Sequence, residues 1–240
     1  MALGDLIRSI RRQRKLSKIS KKRLHLWDLP QQQICYIQNY KVATRSIRLA
    51  LTRFLLEQET GVRNLDYESI TDDQVEEKDD ETKRFKHASE IRSVCPNHFV
   101  FTFVRHPLAR LQSCYTNRLL DSTEKRDRDR FAIYGINREM NFEQFVEVIA
   151  EVPDKYLDRH VRSQHVLVRD GDHTVCDFIG KFENLAEDWQ QLQDRFSFPP
   201  LPHKNKSTKR SSAEFTLSAR ALELVAKRYA KDFELFGYEL

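Results

Sequence analysis

The chain has 240 residues, with 41 basic and 36 acidic side chains and a formal net charge of +5. That length can bury a sizeable core in one domain and still leave an appendage. Hydrophobic residues make up 40%, with 15 Phe and 8 Tyr, which excludes wholesale disorder; six Gly and seven Pro exclude collagenous or low-complexity material.

The charge is unevenly placed. Met1 to Leu24 hold nine basic residues and one acid, Asp5, so the rest of the chain carries 32 basic against 35 acidic side chains. The expected organisation is a basic arm over 1–24 and a single body over 25–240. Leu3, Leu6, Ile7 and Ile10 fall at helical spacing in the arm and then the apolar face fades. It reads as a solvated arm or, in the sharper reading, as a contact for a membrane surface or polyanion. Because the basic excess sits in the arm, +5 does not describe a nucleic-acid-binding surface, and no nucleic-acid partner is expected. No run of about eighteen apolar residues occurs, and the first residues lack the apolar core of a secretory signal. A cytoplasmic chain is expected, with peripheral membrane contact open through the arm.

Ile34-Cys35-Tyr36-Ile37 reads as a strand, followed by a polar turn and a helix from about Thr44 to Glu57 with Ile47, Leu51, Phe54 and Leu55 on one face. Nine acids between Asp66 and Glu81 meet only Lys78, which reads as a solvated loop. The segment from His98 to Val104 is nearly all apolar or β-branched, as a strand covered on both faces should be. Pro107 then opens a helix at its first position. Asn141 caps a further helix, Val175 to Phe182 reads as a third strand, and Asn184 caps the helix that follows it. A last amphipathic helix is expected over about 217–229, with Phe233, Phe236 and Tyr238 docking the C-terminus. Strands alternating with helices give an α/β, P-loop-like three-layer fold: a central, mainly parallel sheet flanked by helices, with ligands at the carboxyl ends of the strands. Cys35, Cys95, Cys114 and Cys176 are widely spaced with no CxxC pair, so buried free thiols and no metal site are expected.

Two segments carry chemistry. Lys41-Val42-Ala43-Thr44-Arg45-Ser46 lies between a strand and a helix, where backbone amides, a lysine and two hydroxyls can cradle a phosphate or sulfate. It lacks GxxxxGK[ST] and has no glycine, which weakens a kinase or NTPase reading. Phe103 through Tyr115 delivers Arg105 at a strand end and Ser113 two turns into the next helix, a pair suited to a second phosphate.

These residues resemble the carbohydrate sulfotransferases that use 3′-phosphoadenosine 5′-phosphosulfate (PAPS), in the branch that includes chondroitin 4-O and HNK-1 sulfotransferases. Lys41 to Thr44 looks like the 5′-phosphosulfate loop and Phe103 to Tyr115 like the 3′-phosphate motif FVRxPxxRLxSxY. Arg159 to Gln164 is similar to HxRxQ, Asp177 to Leu185 to DFIGKFENL, and Leu201 to Ser207 to LPHxNxS. Tyr40 stands where the family usually has proline, and Arg45 where a small or polar residue is usual. The resemblance implies a PAPS co-substrate, no obligatory metal, and an acceptor hydroxyl on a saccharide. It implies that Lys41, Val42, Ala43, Thr44, Arg45 and Ser46 hold the 5′-phosphosulfate, with Lys41 also catalytic, and that Arg105 and Ser113 bind the 3′-phosphate. Lys206 and Ser207 close over the nucleotide, with Lys204 beside them.

In-line transfer needs a base, and His87 is the first choice, with His203 in reserve and His106 structural. His160 and Arg162 are expected to meet an acidic saccharide; the ordinary reading of His160 and His165 is packing on a helix. Phe182 either approaches the adenine or belongs to the core. The reading from another class is a non-catalytic nucleotide- or polyanion-binding protein that works through the basic arm.

Overall fold

The computed structural model describes residues 16, 24–80, 83–85, 87–202 and 215–240. In chain order its main elements are β1 (Leu24–Leu29), β2 (Ile34–Ile37), α1 (Thr44–Thr60), α2 (Asp72–Asp80), β3 (Lys83–Phe85), α3 (Ser89–Val94) and β4 (Phe99–Val104). Then come α4 (Pro107–Tyr115), α5 (Lys125–Ala132), α6 (Phe142–Glu151), the hairpin β5 (Arg169–Asp170) and β6 (His173–Thr174), β7 (Phe178–Lys181), α7 (Leu185–Phe196), α8 (Ala219–Arg228) and α9 (Ala230–Phe236). The chain divides into two compact units. Of the described residues, one holds 24–105 and 166–202, and the other holds 16, 106–165 and 215–240. The basic arm lies outside the described residues apart from Leu16 and Leu24.

The first unit contains the whole five-stranded sheet, in the order β3-β1-β2-β4-β7. β2, β4 and β7 pair in parallel, while β1 and β3 add antiparallel neighbours on one side, so the expected α/β sheet is mixed with a parallel core. All four residues of β2 are buried, as are Val100, Phe101, Phe103 and Val104 of β4. Continuous burial explains why these two strands read as unbroken apolar runs. β1 escaped the sequence reading because Asp28 and His25 interrupt its alternation, yet Leu24, Leu26, Trp27 and Leu29 are buried. The Trp27 indole donates to Gln38 Oε1 at 3.1 Å, satisfying its one polar atom inside the core. Ile47, Ala50, Leu51 and Phe54 of α1 and Trp189 and Leu192 of α7 join this core; the Trp189 and Phe198 rings stack at 5.5 Å.

The acidic run was expected to be a loop and is instead a 3-10 turn over Tyr67–Ser69 followed by α2. Thr71 and Gln74 form a reciprocal cap: the Thr71 amide donates to Gln74 Oε1 at 2.9 Å, and the Gln74 amide to Thr71 Oγ1 at 3.2 Å. Asp72 and Asp73 favour the positive end of the helix, and α1 supplies counter-charges, with Lys78 on Glu59 at 2.8 Å and Arg48 beside Asp79 at 3.5 Å. The signal was present in the Thr-x-x-Gln spacing.

The second unit is helical among the described residues. Leu111, Cys114, Tyr115, Phe131, Phe142, Phe145, Val225 and Tyr229 form its core. Asn141 caps α6 as expected, exchanging bonds with Gln144 at 2.9 Å. The last helix is broken: Ser218 caps α8, Tyr229 interrupts, and α9 follows. His106 makes edge contacts with Phe233 and Tyr238, and its Nε2 lies 2.6 Å from the Glu239 carbonyl, the structural role expected of it. No helix among the described residues is long and apolar enough to cross a membrane.

Gly180 sits opposite Phe103 in the β4–β7 register, and a Cβ there would lie 2.3 Å from the Phe103 ring. Gly180→Ala is therefore expected to destabilise by about 1–3 kcal/mol, read as an earlier denaturation midpoint in urea.

Candidate functional site

The parallel register of β2 and β4 brings two loops to the same carboxyl edge of the sheet: residues 38–43 after β2 and Arg105 after β4. Parallel strands release their loops on one side, which is where α/β sheets place ligands. The first loop is pinned from below. Gln38 and Asn39 are buried; Gln38 accepts from Trp27, and Asn39 Nδ2 donates to the Phe103 carbonyl at 3.0 Å. Val42 is fully buried and anchors the turn in the core.

The backbone of the turn is held in an uncommon shape. Lys41 has φ 69° and Ala43 φ 47°, left-handed values that glycine adopts freely and other residues rarely adopt. Ala43 is the N-cap of the 17-residue α1, no side chain caps that terminus, and its first turn holds no acid. The N-terminal amides and the dipole of α1 therefore open toward an anion beside Lys41.

Thr44 departs from its expected role. Its hydroxyl donates to the Asn39 carbonyl at 2.5 Å, so its proton fastens the loop and is not presented to a phosphate oxygen. Arg45 is exposed, at 71% for its side chain, and extends toward Asp72 at 3.7 Å, where an exposed pair contributes little. Ser46 lies half-buried in the first turn of α1.

Arg105 is half-buried. Its Nη1 donates to the Lys41 carbonyl at 3.4 Å, and its guanidinium lies over the Phe182 ring, 4.2 Å from the centroid. Phe182 thus serves as a platform that orients the arginine, a planar cation on an aromatic face. The bond to Lys41 ties the two loops together, so two cationic side chains belong to one local structure. Ser113 lies half-buried in α4, in the helical unit.

His87 is exposed, two residues past β3, and its amide donates to Glu90 Oε1 at 3.0 Å. Phe85 pairs with Leu24 and Leu26 with Ile37, so β3 ends at the same edge as β2. One histidine escaped the sequence reading. His25, on β1 between β3 and β2, has its Nδ1 3.2 Å from the Tyr40 hydroxyl. Only the assignment of β1 as a strand reveals it, since β1 places His25 beside the anion loop. Lys206, Ser207, Lys204 and His203 lie outside the described residues.

The expected saccharide contact through His160 is corrected. His160 is 1% exposed and not helical: its amide donates to Asp158 Oδ1 at 3.0 Å, its Nδ1 contacts the same oxygen, and Arg130 Nη1 lies 2.9 Å from that nitrogen. A side chain so enclosed cannot reach a sugar. Arg162 is half-buried and donates to the carbonyls of Lys155 and Leu157, both at 3.2 Å. His165 starts a single helical turn, with its Nδ1 on Asp232 at 2.8 Å. The buried Arg110 donates to the Arg162 and Arg159 carbonyls at 2.7 and 2.9 Å, and the buried Asp232 accepts from the amides of Gln164 and His165. Residues 158–165 are therefore held by internal charges.

Burial pushes the His160 imidazole down to about 4, against the raising influence of Asp158. Burial works against the charge of Asp158, but the hydrogen bonds from His160 and the charge of Arg130 outweigh it and hold this carboxyl well below its usual range. Between the ordinary histidine value of 6.5 and about 4 the unfolded chain takes up a proton that the folded chain does not. Stability is therefore expected to fall as pH drops from about 6.5 to about 4. His160→Gln should flatten that part of a plot of unfolding free energy against pH.

An α/β sheet whose parallel strands end in a lysine-bearing strand–turn–helix and a stacked arginine is an arrangement of the kind that can hold an anion. Residues 24–239 match the Sulfotransferase family, and the chain belongs to it. Carbohydrate sulfotransferase 14 of Homo sapiens is 28% identical over 171 residues and that of Mus musculus 26% over 171, each alignment covering 63% of this chain and 45% of the relative. The Danio rerio protein of the same name is 26% identical over 178 residues, covering 63% of this chain and 47% of its own. The chain spans about half the length of the curated relatives it matches. No solved structure matches it. The resemblance read from the motifs is borne out at the level of the family.

Proposed function

We propose that the chain transfers a sulfuryl group from PAPS to a hydroxyl of a carbohydrate. The observation that carries this reading is the bond from Arg105 to the Lys41 carbonyl, which makes a single cationic edge from the two loops that the family resemblance assigns to the donor. A nucleotide with phosphates at both 3′ and 5′ positions suits such an edge, because each loop can meet one of them. The uncapped, acid-free N-terminus of α1 and the neighbouring Lys41 fit a phosphosulfate.

In this reading the α1 amides and Lys41 hold the 5′-phosphosulfate, and Lys41 neutralises the charge that gathers on the bridging oxygen as the sulfur–oxygen bond breaks. Arg105 holds the 3′-phosphate. His87 takes the proton of the acceptor hydroxyl as that oxygen attacks in line, and His25 is the rival for this step. Little covalent work is asked of the protein; positioning and charge stabilisation carry the rate, as in phosphoryl transfer. The names of the relatives support a carbohydrate as the acceptor class.

Lys41→Ala and Arg105→Ala are expected to keep the far-ultraviolet dichroism of the parent while transfer of labelled sulfate from PAPS falls by about 10²–10³-fold. Full activity in both variants would overturn the reading. His87→Gln should lower kcat by about 10²-fold or more with donor KM little changed. The same result confined to His25→Gln would assign the base to β1.

A further inference from the structure

On the side of the sheet away from the two cationic loops, four metal-ligating side chains that are remote in sequence meet. Asp28 and Cys35 are direct cross-strand partners in the β1–β2 register, Cys95 follows α3, and His98 immediately precedes β4. One ligating atom from each lies within 4.8 Å of all the others. Cys35 and Cys95 are buried, and Asp28 is 7% exposed at its side chain. Cys35 Sγ lies 3.5 Å from Asp28 Oδ1, and His98 Nε2 lies 3.2 Å from the same oxygen. A tetrahedral zinc with bonds of about 2.0–2.3 Å separates its donors by about 3.3–3.8 Å, so these two edges already have the required length.

Two further features favour a cation over a plain polar cluster. Both ring nitrogens of His98 are buried without a hydrogen-bond partner among the described residues, although Nε2 approaches the carboxylate. The other oxygen of Asp28 is taken by the Lys83 ammonium, which leaves Oδ1 for the centre of the cluster and fixes the carboxylate from outside.

We propose that Asp28, Cys35, Cys95 and His98 form a structural site for a zinc-class divalent ion, with two sulfur donors, one nitrogen and one oxygen. Thiolates with imidazole select such borderline metals over magnesium or calcium, and four protein donors leave no open position for substrate. The charges balance. A divalent ion enters as the two thiols release two protons, so the net charge of the cluster is unchanged. Before the ion enters, burial pushes both thiols upward, and Asp28 adds to the effect, which keeps them protonated and unreactive. The ion would clamp β1, β2 and the turn before β4 at the amino ends of the two parallel strands whose carboxyl ends carry Lys41 and Arg105. The sequence signal is Cys95-Pro96-Asn97-His98, a C-x₂-H spacing that a search for CxxC passes over.

The test uses the full chain purified without chelator, with metal content measured by mass spectrometry and the apo protein reloaded with Co²⁺. The expected result is one zinc per chain and, with cobalt, a thiolate charge-transfer band together with intense visible bands of a tetrahedral centre. Cys35→Ser/Cys95→Ser should lose both the metal and the spectrum, while Cys114→Ser and Cys176→Ser, which alter the other two buried thiols, keep them. His98→Gln should weaken zinc binding by about tenfold or more in a competition with a chromogenic chelator. Wild-type protein that takes up no zinc or cobalt would overturn the proposal, as would a Cys35–Cys95 disulfide found in a non-reducing digest. Both of these outcomes are read on the parent chain, so a misfolded double variant does not blunt the test.

Discussion

The pairing of β2 with β4 is the constraint on which the rest of the molecule depends. Only three residue pairs define it, Ile34 with Phe99, Cys35 with Val100 and Tyr36 with Phe101, yet it fixes where both cationic loops emerge. A slip of one residue would turn Tyr36 and Phe101 to the opposite faces and dismantle the aromatic stack they share at 5.2 Å. The register is set by core packing, and the site inherits it. The Asn39 bond to Phe103 and the Arg105 bond to Lys41 then lock the loops to each other one step beyond the last ladder bond.

What could be read in the sequence follows from this. β2 and β4 are legible because burial leaves them almost no polar positions, Thr102 aside, and Lys41 and Arg105 are legible because they stand where those runs stop. β1 and β3 are not, since each carries charged residues whose partners lie far away in sequence: Lys83 meets Asp28, and His25 meets Tyr40. The fate of His160 was also hidden. Its companion Asp158 is only two residues off, but nothing in the spacing says that this pair faces inward. Thr44 shows the same limit at a finer scale, since a hydroxyl at a helix start serves the ligand or the loop according to a carbonyl five residues back.

The helical unit meets a different problem, that of holding irregular chain without a sheet. Residues 158–165 carry few backbone ladder bonds and instead lean on Arg110, Asp158 and Asp232, three buried charges each surrounded by donors or acceptors. Buried charges cost desolvation, and here the cost is offset by several hydrogen bonds per group. Arg110 belongs to the same short motif as Arg105, so two arginines five residues apart do opposite jobs: one is stacked at the sheet edge and the other is sealed inside, holding a loop.

The left-handed residues Lys41 and Ala43 have one more consequence. A glycine-rich anion loop is supple, and a ligand that orders it gives up part of its binding free energy to the lost chain entropy. Here the side-chain-bearing residues, the buried Val42 and the Asn39 anchor hold the turn in shape through strain that the fold itself carries. An arriving anion would meet a rigid mould, and its recognition would be limited by fit and charge, with little of its binding free energy drawn off to immobilise the chain.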